Sequence, residues 1–243
     1  MVLNSLFIFD LKKRPRAEPI ITANALITVA IMDRRIRLSP LSRQGYNIPM
    51  TTIFLLAGLS ERMGENKLLL PYKDKFLFES TLSSALSLSD RIIAVLGHDE
   101  GKIRKALSNY PDVEIRVNEH YEKGQKESTL VGLDGVWDDV AILPGDLPLL
   151  KEDDWVMGLR YLSLNIPARA GYEGAMGNPV FVPRRLKKGL ETSSKPFKDY
   201  LEDEGIIIYP ASIGCVFDID TPERYRALLN GDTAISHDKV NTL

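Results

Sequence analysis

Thr51-Thr-Ile-Phe-Leu-Leu-Ala-Gly-Leu-Ser-Glu-Arg-Met-Gly-Glu-Asn-Lys67 changes character in its middle. Thr51–Leu56 is β-branched and apolar and carries no charge, the pattern of a parallel strand covered on both faces. From Ala57 onward the residues are small or charged: Gly58 and Gly64, the hydroxyl of Ser60, and the cations Arg62 and Lys67. A strand that opens into a small-residue loop offers bare backbone N–H groups to an anion, and side chains this small let phosphates approach closely. Neither standard phosphate loop fits. No Lys-Ser or Lys-Thr follows Gly64, and G-x-G-x-x-G is absent.

Working outward, apolar and helical stretches alternate. Phe76–Leu88 has apolar residues at helical spacing, and Arg91–Leu96 reads as a short buried strand ended by Gly97-His98. Asp99–Asn109 reads as a helix capped by Asp99. Val113–Val117 alternates like a strand, Asn118–Gly124 is a polar loop, Ser128–Val136 a helix containing Gly132, and Asp139–Pro144 a further buried strand. Strands alternating with helices predict an α/β fold with a mostly parallel central sheet and helices on both faces. In such sheets ligands gather at the carboxyl ends of the strands, where the glycine loop, Gly97 and Asn118 all fall.

Three later stretches carry polar groups at strand ends. Pro144-Gly-Asp-Leu-Pro-Leu149 puts Asp146 just past a buried strand, well placed to hold Mg²⁺, which takes one or two carboxylates and completes its shell with water and substrate phosphates. After a helix over Glu152–Leu164 with Trp155 in the core and a strand at Pro167–Tyr172, Gly174–Phe181 reads as a glycine-rich turn entering another strand. Two short helices (Arg184–Gly189, Pro196–Glu202) and a strand (Gly205–Tyr209) lead to Val216-Phe-Asp-Ile-Asp-Thr-Pro-Glu223. There Asp218 and Asp220 share one side if extended, and Thr221 caps a helix with Pro222 in its first position.

Leu55–Lys67, followed by Leu70-Pro71, resembles the nucleotidyltransferase signature L-A-A-G-x-S-x-R-M-G-x-x-K-x-x-L; one departure is Leu56, where Ala or Gly is more usual. With G-D-x-P-x-L at Gly145–Leu149 and D-I-D-T-P-E at Asp218–Glu223, the order and spacing resemble the MobA-like nucleotidyltransferases of molybdenum cofactor maturation. The resemblance spans Leu55 to Glu223 and implies a Rossmann-like fold. It implies Mg²⁺-dependent transfer of a nucleoside monophosphate from an NTP to the terminal phosphate of molybdopterin, with a molybdoenzyme as client of the product. It implies that the Leu55, Leu56, Ala57 and Gly58 backbone, with Ser60, Arg62 and Lys67, holds the triphosphate, with Arg62, Lys67 and Asp146 catalytic. Gly97, Asn118 and Ser128 would meet the nucleoside. Asp146 and Asp220 would bind metal, with Asp218 in support. Gly177, Asn178 and Pro179 correspond to the family's G-H-P acceptor segment, with Asn178 in place of His. The loop and D-I-D-T-P pattern look more like the cytidylyltransferases than the guanylyltransferases, so CTP is expected ahead of GTP. A sugar- or polyol-phosphate nucleotidyltransferase, or a non-catalytic nucleotide-binding protein, is the alternative. The intact Arg62, Lys67, Asp146 and Asp220 argue against the latter.

Composition fits a globular protein: 243 residues, 44% hydrophobic and 26% charged. The single cysteine, Cys215, excludes an internal disulfide and a cysteine-rich metal site and suits a reducing compartment, so a cytoplasmic location is expected. Residues 1–49 carry eight Lys/Arg against three Asp/Glu, a net +5, whereas the remainder carries 23 against 30, a net −7. An acidic main domain argues against general nucleic-acid affinity. Ile20–Met32 is 13 residues, too short to cross a bilayer, and the basic Lys12–Arg16 follows the apolar Leu3–Phe9, against the order of a secretory leader. The domain is therefore expected over residues 50–230, with a dispensable extension at 1–49 and a frayed tail at 231–243; oligomeric state is left open.

Overall fold

The computed structural model describes residues 49–232. The expectations placed on Leu3–Phe9, Lys12–Arg16, Ile20–Met32 and the tail beyond residue 232 lie outside the described residues. Seven strands form one sheet in the order β5-β4-β1-β6-β8-β7-β9. They are β1 (Met50–Leu56), β4 (Arg91–Leu96), β5 (Val113–Val117), β6 (Asp139–Pro144), β7 (Ala168–Tyr172), β8 (Ala175–Val182) and β9 (Ile207–Pro210). β2 (Pro71–Tyr72) and β3 (Lys75–Phe76) make a separate two-stranded hairpin. The half from β5 to β6 is parallel throughout, and β8 runs antiparallel to both β6 and β7.

β1 sits at the centre and is buried along its whole length, as its uncharged sequence requires. Its side chains alternate between two apolar layers. Phe54 and Leu56 join Ala94, Leu96 and Leu143 beneath α1 (Leu77–Ser83), α2 (Glu100–Leu107) and α4 (Asp153–Ser163). Ile53 and Leu55 join Val95, Val140 and Ile142 beneath α3 (Gln125–Leu133), α5 (Arg184–Thr192) and α6 (Phe197–Asp203). The expected mostly parallel sheet with helices on both faces is therefore present. α7 (Pro222–Asn230) closes a third cluster through Leu228, Phe217 and Ile219, and Trp155 is fully buried. Among the described residues no helix is long and apolar enough to cross a membrane.

Four local expectations need correction. The helix expected over Phe76–Leu88 is α1, which stops at Ser83, and turns carry the chain on to Leu88. The helix expected at Ser128–Val136 is α3, which starts at Gln125 and ends at Leu133. Asp99 precedes α2 but does not cap it. Its backbone is left-handed (φ 57°), and its carboxylate faces Lys102 at 2.8 Å instead of the helix N–H groups. The glycine-rich turn is confined to Glu173 and Gly174, both at positive φ, as a tight hairpin turn requires. Gly177, Asn178 and Pro179 lie within β8, with a cis bond before Pro179.

Candidate active site

The site is built at the carboxyl ends of β1 and β6. Past Ala57 the loop turns at Ser60, whose backbone is left-handed (φ 55°) and whose carbonyl oxygen accepts from the Met63 N–H at 2.9 Å. The Ser60 hydroxyl oxygen accepts from the Lys67 N–H at 3.1 Å, so this side chain clasps the loop shut. Asn66 Oδ1 caps a one-turn helix at Lys67–Leu69 by accepting from the Leu68 N–H at 3.1 Å. Those two bonds fix Lys67 at the start of a rigid turn and aim its side chain back toward the sheet.

There Lys67 meets two carboxylates distant in sequence. Its Nζ donates to Asp146 Oδ2 at 2.5 Å and to Asp220 Oδ1 at 2.6 Å. Lys67 and Asp146 expose only 13% and 15% of their side chains, so the pair is largely shielded from water. Burial opposes the Lys67 charge, but the field and hydrogen bonds of Asp146, then of Asp220, outweigh it and hold the ammonium above its usual range. Burial likewise opposes the Asp220 charge, yet Lys67 and Arg62 together keep that carboxyl below its usual range. The Arg62 guanidinium donates to Asp220 Oδ2 from an exposed position. Asp218 is different. Burial first, then the neighbouring charges of Asp146 and Asp220, push its carboxyl up to about 6, and its nearest cation is Arg224 at 3.4 Å.

The turn carrying Asp146 is pinned from three sides. Gly145 N–H donates to the Leu55 carbonyl oxygen at 3.0 Å, and the Asp146 carbonyl oxygen accepts from Ile219 N–H at 3.1 Å, tying the first loop, the Asp146 turn and the Asp218–Asp220 segment together. The third anchor is Thr81 of α1, fully buried. Its Oγ1 donates to the Gly145 carbonyl oxygen and accepts from Leu147 N–H, both at 3.1 Å. Sequence reading missed Thr81, because a threonine inside an apolar helix carries no motif; the only signal was a polar residue on an otherwise buried face. Gly145 itself has no room for a side chain, since a Cβ there would sit 2.3 Å from Leu56 Cδ2.

The remaining expected residues form two flanks. Asn118 and Ser128 come together at the carboxyl end of β5 and the first turns of α3. Asn118 Nδ2 donates to Ser128 Oγ at 3.0 Å, its Oδ1 accepts from His120 N–H at 2.9 Å, and both residues are buried. Gly97 lets the end of β4 pack against Ala57 and Tyr121, whose Cβ atoms a side chain would meet at 2.9 and 2.6 Å. On the other flank β8 runs antiparallel to β6 as far as Ile142 opposite Val180, and Gly177 beyond that packs on Cys215, whose neighbour Gly214 packs on Leu149 and Leu150 just past the Asp146 turn.

Among the described residues no group of three or more His, Cys, Asp or Glu is arranged as a ready metal cage. Asp146 and Asp220 nevertheless already converge on one positive charge, that of Lys67. Two carboxylates, one just past β6 and one just before α7, are the donor set a divalent cation takes when phosphates and water complete its shell, so these residues fit such an ion.

The match to known proteins takes in the glycine loop and the Asp146 turn. The family model described as the MobA-like NTP transferase domain matches residues 52–201. The molybdenum cofactor cytidylyltransferase of Escherichia coli K12 is 26% identical over 181 residues, covering 71% of this chain and 92% of that protein. The purine catabolism protein PucB of Bacillus subtilis 168 is 30% identical over 190 residues, with the same 71% and 92% coverage. The crystal structure of Rv0371c from Mycobacterium tuberculosis H37Rv superposes with a TM-score of 0.66 at 25% identity, covering 75% of this chain and 98% of that one. A structure of Rv0371c in complex with manganese gives a TM-score of 0.60 at 21% identity, over 75% and 98% of the two chains. A glycine loop with Arg62 and Lys67, the Asp146 turn beside it and a family match that spans both lead to one conclusion: the chain belongs to the MobA-like NTP transferase family and is a nucleotidyltransferase.

Proposed function

We propose that the chain moves a nucleoside monophosphate from an NTP, CTP ahead of GTP, to the terminal phosphate of a molybdopterin-type acceptor and releases pyrophosphate. The observation that carries this reading is the Lys67 ammonium held between Asp146 and Asp220 at the mouth of the glycine loop. In the reaction an oxygen of the acceptor phosphate attacks the α-phosphorus in line. The new P–O bond forms as the bond from the α-phosphorus to the bridging oxygen breaks, and that oxygen leaves with the pyrophosphate and its electron pair. Little covalent work falls to the protein, so catalysis is positioning and charge stabilisation. The Leu55–Gly58 backbone cradles the triphosphate, clasped by the Ser60–Lys67 bond. Arg62 and Lys67 stabilise the charge growing on the transferred and leaving phosphates. Thr81 keeps the Asp146 turn fixed while this happens. A Mg²⁺ ion held by Asp146 and Asp220 would supply further charge neutralisation. Asn118, Ser128 and Gly97 shape the nucleoside side, and Gly177–Pro179 the acceptor side.

Residues 50–230 form the catalytic unit in this reading, which places the protein in the cytoplasm with a molybdoenzyme as recipient of its product. Pyrophosphate release from each of the four NTPs, with and without molybdopterin, tests it. Release confined to CTP plus molybdopterin is the expected result. Release with GTP instead reverses the nucleotide choice, and release only with a sugar or polyol phosphate replaces the acceptor.

A further inference from the structure

Arg169 stands apart from the other cations near the site. Arg62, Lys67 and Arg224 each face an aspartate. Among the described residues Arg169 has no carboxylate within ion-pair distance; its Nε donates to the Gly177 carbonyl oxygen at 2.9 Å, and Nη1 makes only a long contact of 3.9 Å to Met176 Sδ. Burial pulls the guanidinium below its usual range, while Cys215 and then Glu202 act on it only through the field. A half-buried guanidinium without a counter-ion is costly unless an anion arrives to meet it.

Its surroundings are built. β7 pairs with β8 with Arg169 opposite Val180, and the register slips between Arg169 and Gly171. Such irregularities re-aim a side chain, and here the side chain reaches toward Gly177. Gly177 admits no side chain, because a Cβ there would lie 2.3 Å from the Cys215 carbonyl oxygen. Arg169 is itself only partly buried, and its Nη1 contact with the exposed Met176 lies at the surface, which leaves that end open to a ligand from solution. The segment Gly177 packs on also meets the chain just past Asp146, through Gly214 against Leu149 and Leu150.

We propose that Arg169 is an oxyanion clamp on the acceptor side of the site: its Nη groups take a phosphate of the acceptor while Nε remains on the Gly177 carbonyl oxygen. The planar fork of a guanidinium matches a phosphate in a way an ammonium does not. The inference rests on the proposed reaction for the identity of the acceptor, but not for the presence of the anion site.

Steady-state pyrophosphate release by the full chain, its Arg169→Met variant and its Arg169→Lys variant tests it, with CTP and molybdopterin varied in turn. The expected result for Arg169→Met is an acceptor KM raised by about tenfold or more, with the CTP KM within about twofold, and part of the loss recovered by Arg169→Lys. An unchanged acceptor KM, or a CTP KM that rises in step, overturns the proposal. A second readout uses the wild-type protein alone. Methyl phosphate is titrated into arginine-¹⁵N-labelled chain, and the Arg169 Nε–H signal, assigned by its loss in Arg169→Lys, is expected to shift saturably. A signal that does not move overturns the clamp whatever the turnover. A saturable shift in a protein that turns over no acceptor leaves the clamp standing and removes the proposed reaction instead.

Discussion

At the scale of single residues, the site is an electrostatic arrangement around Lys67. One ammonium holds two carboxylates that are 79 and 153 positions away in sequence. Replacing it with an uncharged side chain of similar length leaves Asp146 and Asp220 facing each other without compensation. Lys67→Met is therefore expected to lower kcat by about 10²–10³-fold, the scale for losing one preorganised charge-stabilising group, in a steady-state pyrophosphate assay. A loss of less than tenfold would show that Lys67 orders the carboxylates without touching the reacting phosphates. Lys67, Asp146 and Asp220 could be named from the sequence because each sits in a recognisable motif. Their mutual contact could not be, since it depends on three loops meeting. Ser60 shows the limit from the other side. Its hydroxyl was expected among the groups that hold the triphosphate, and its oxygen also accepts from the Lys67 N–H, a contact within the loop that small-residue composition does not reveal.

At the scale of elements, Arg91–Leu96, Val113–Val117 and Asp139–Pro144 were readable to the residue, because uncharged or alternating runs bounded by Gly, Asp or Asn leave little choice. The Gly177–Pro179 stretch was not. Gly, Asn and Pro are turn formers, yet here glycine is required within a strand because the Cys215 carbonyl oxygen presses on it. Helix α1 holds the Asp146 turn through Thr81, so in the proposed reaction this helix sets where Asp146 stands. Thr81→Val keeps the shape and leaves two buried backbone groups unpaired. It is expected to cost about 1–3 kcal/mol in chemical denaturation and to lower kcat while leaving the NTP Kd nearly unchanged. A variant that loses stability alone would confine Thr81 to folding. On the far edge, Glu114 of β5 lies between Arg91 and Arg116. Burial opposes its charge, but hydrogen bonds from Arg91 and then Arg116 prevail and lower its carboxyl from 4.5. A lowered folded-state value means the stabilisation is present above 4.5, the unfolded value, and disappears as pH falls through the folded one. Glu114→Gln is expected to melt below wild type at pH 7 by a surface-pair increment under about 1 kcal/mol, and the two curves should merge in acid below 4.5. Curves that stay separated in acid would assign the loss to packing instead of charge.

At the scale of the whole molecule, the parallel half of the sheet gathers the glycine loop, Gly97, Asn118 and the Asp146 turn at its carboxyl end, and antiparallel β8 adds a second flank beside β6. The alternation of strands and helices made the α/β class legible. The reversal of β8 was not, because a short hairpin at Glu173-Gly174 sets it and hairpin direction leaves little trace in composition. Because the candidate site residues named above all fall between Leu55 and Asp220, deleting residues 1–49 is expected to leave kcat within about twofold of the full chain in the same assay. A larger fall would give the basic extension a part in the reaction. The account stands or falls on whether the Lys67–Asp146–Asp220 cluster is the centre of nucleotidyl transfer. The direct measurement is turnover of Asp146→Asn beside wild type with CTP and molybdopterin, with melting curves on both. The account predicts a loss of at least about 10²-fold in kcat with the fold retained. Near-wild-type turnover from the folded variant would contradict it.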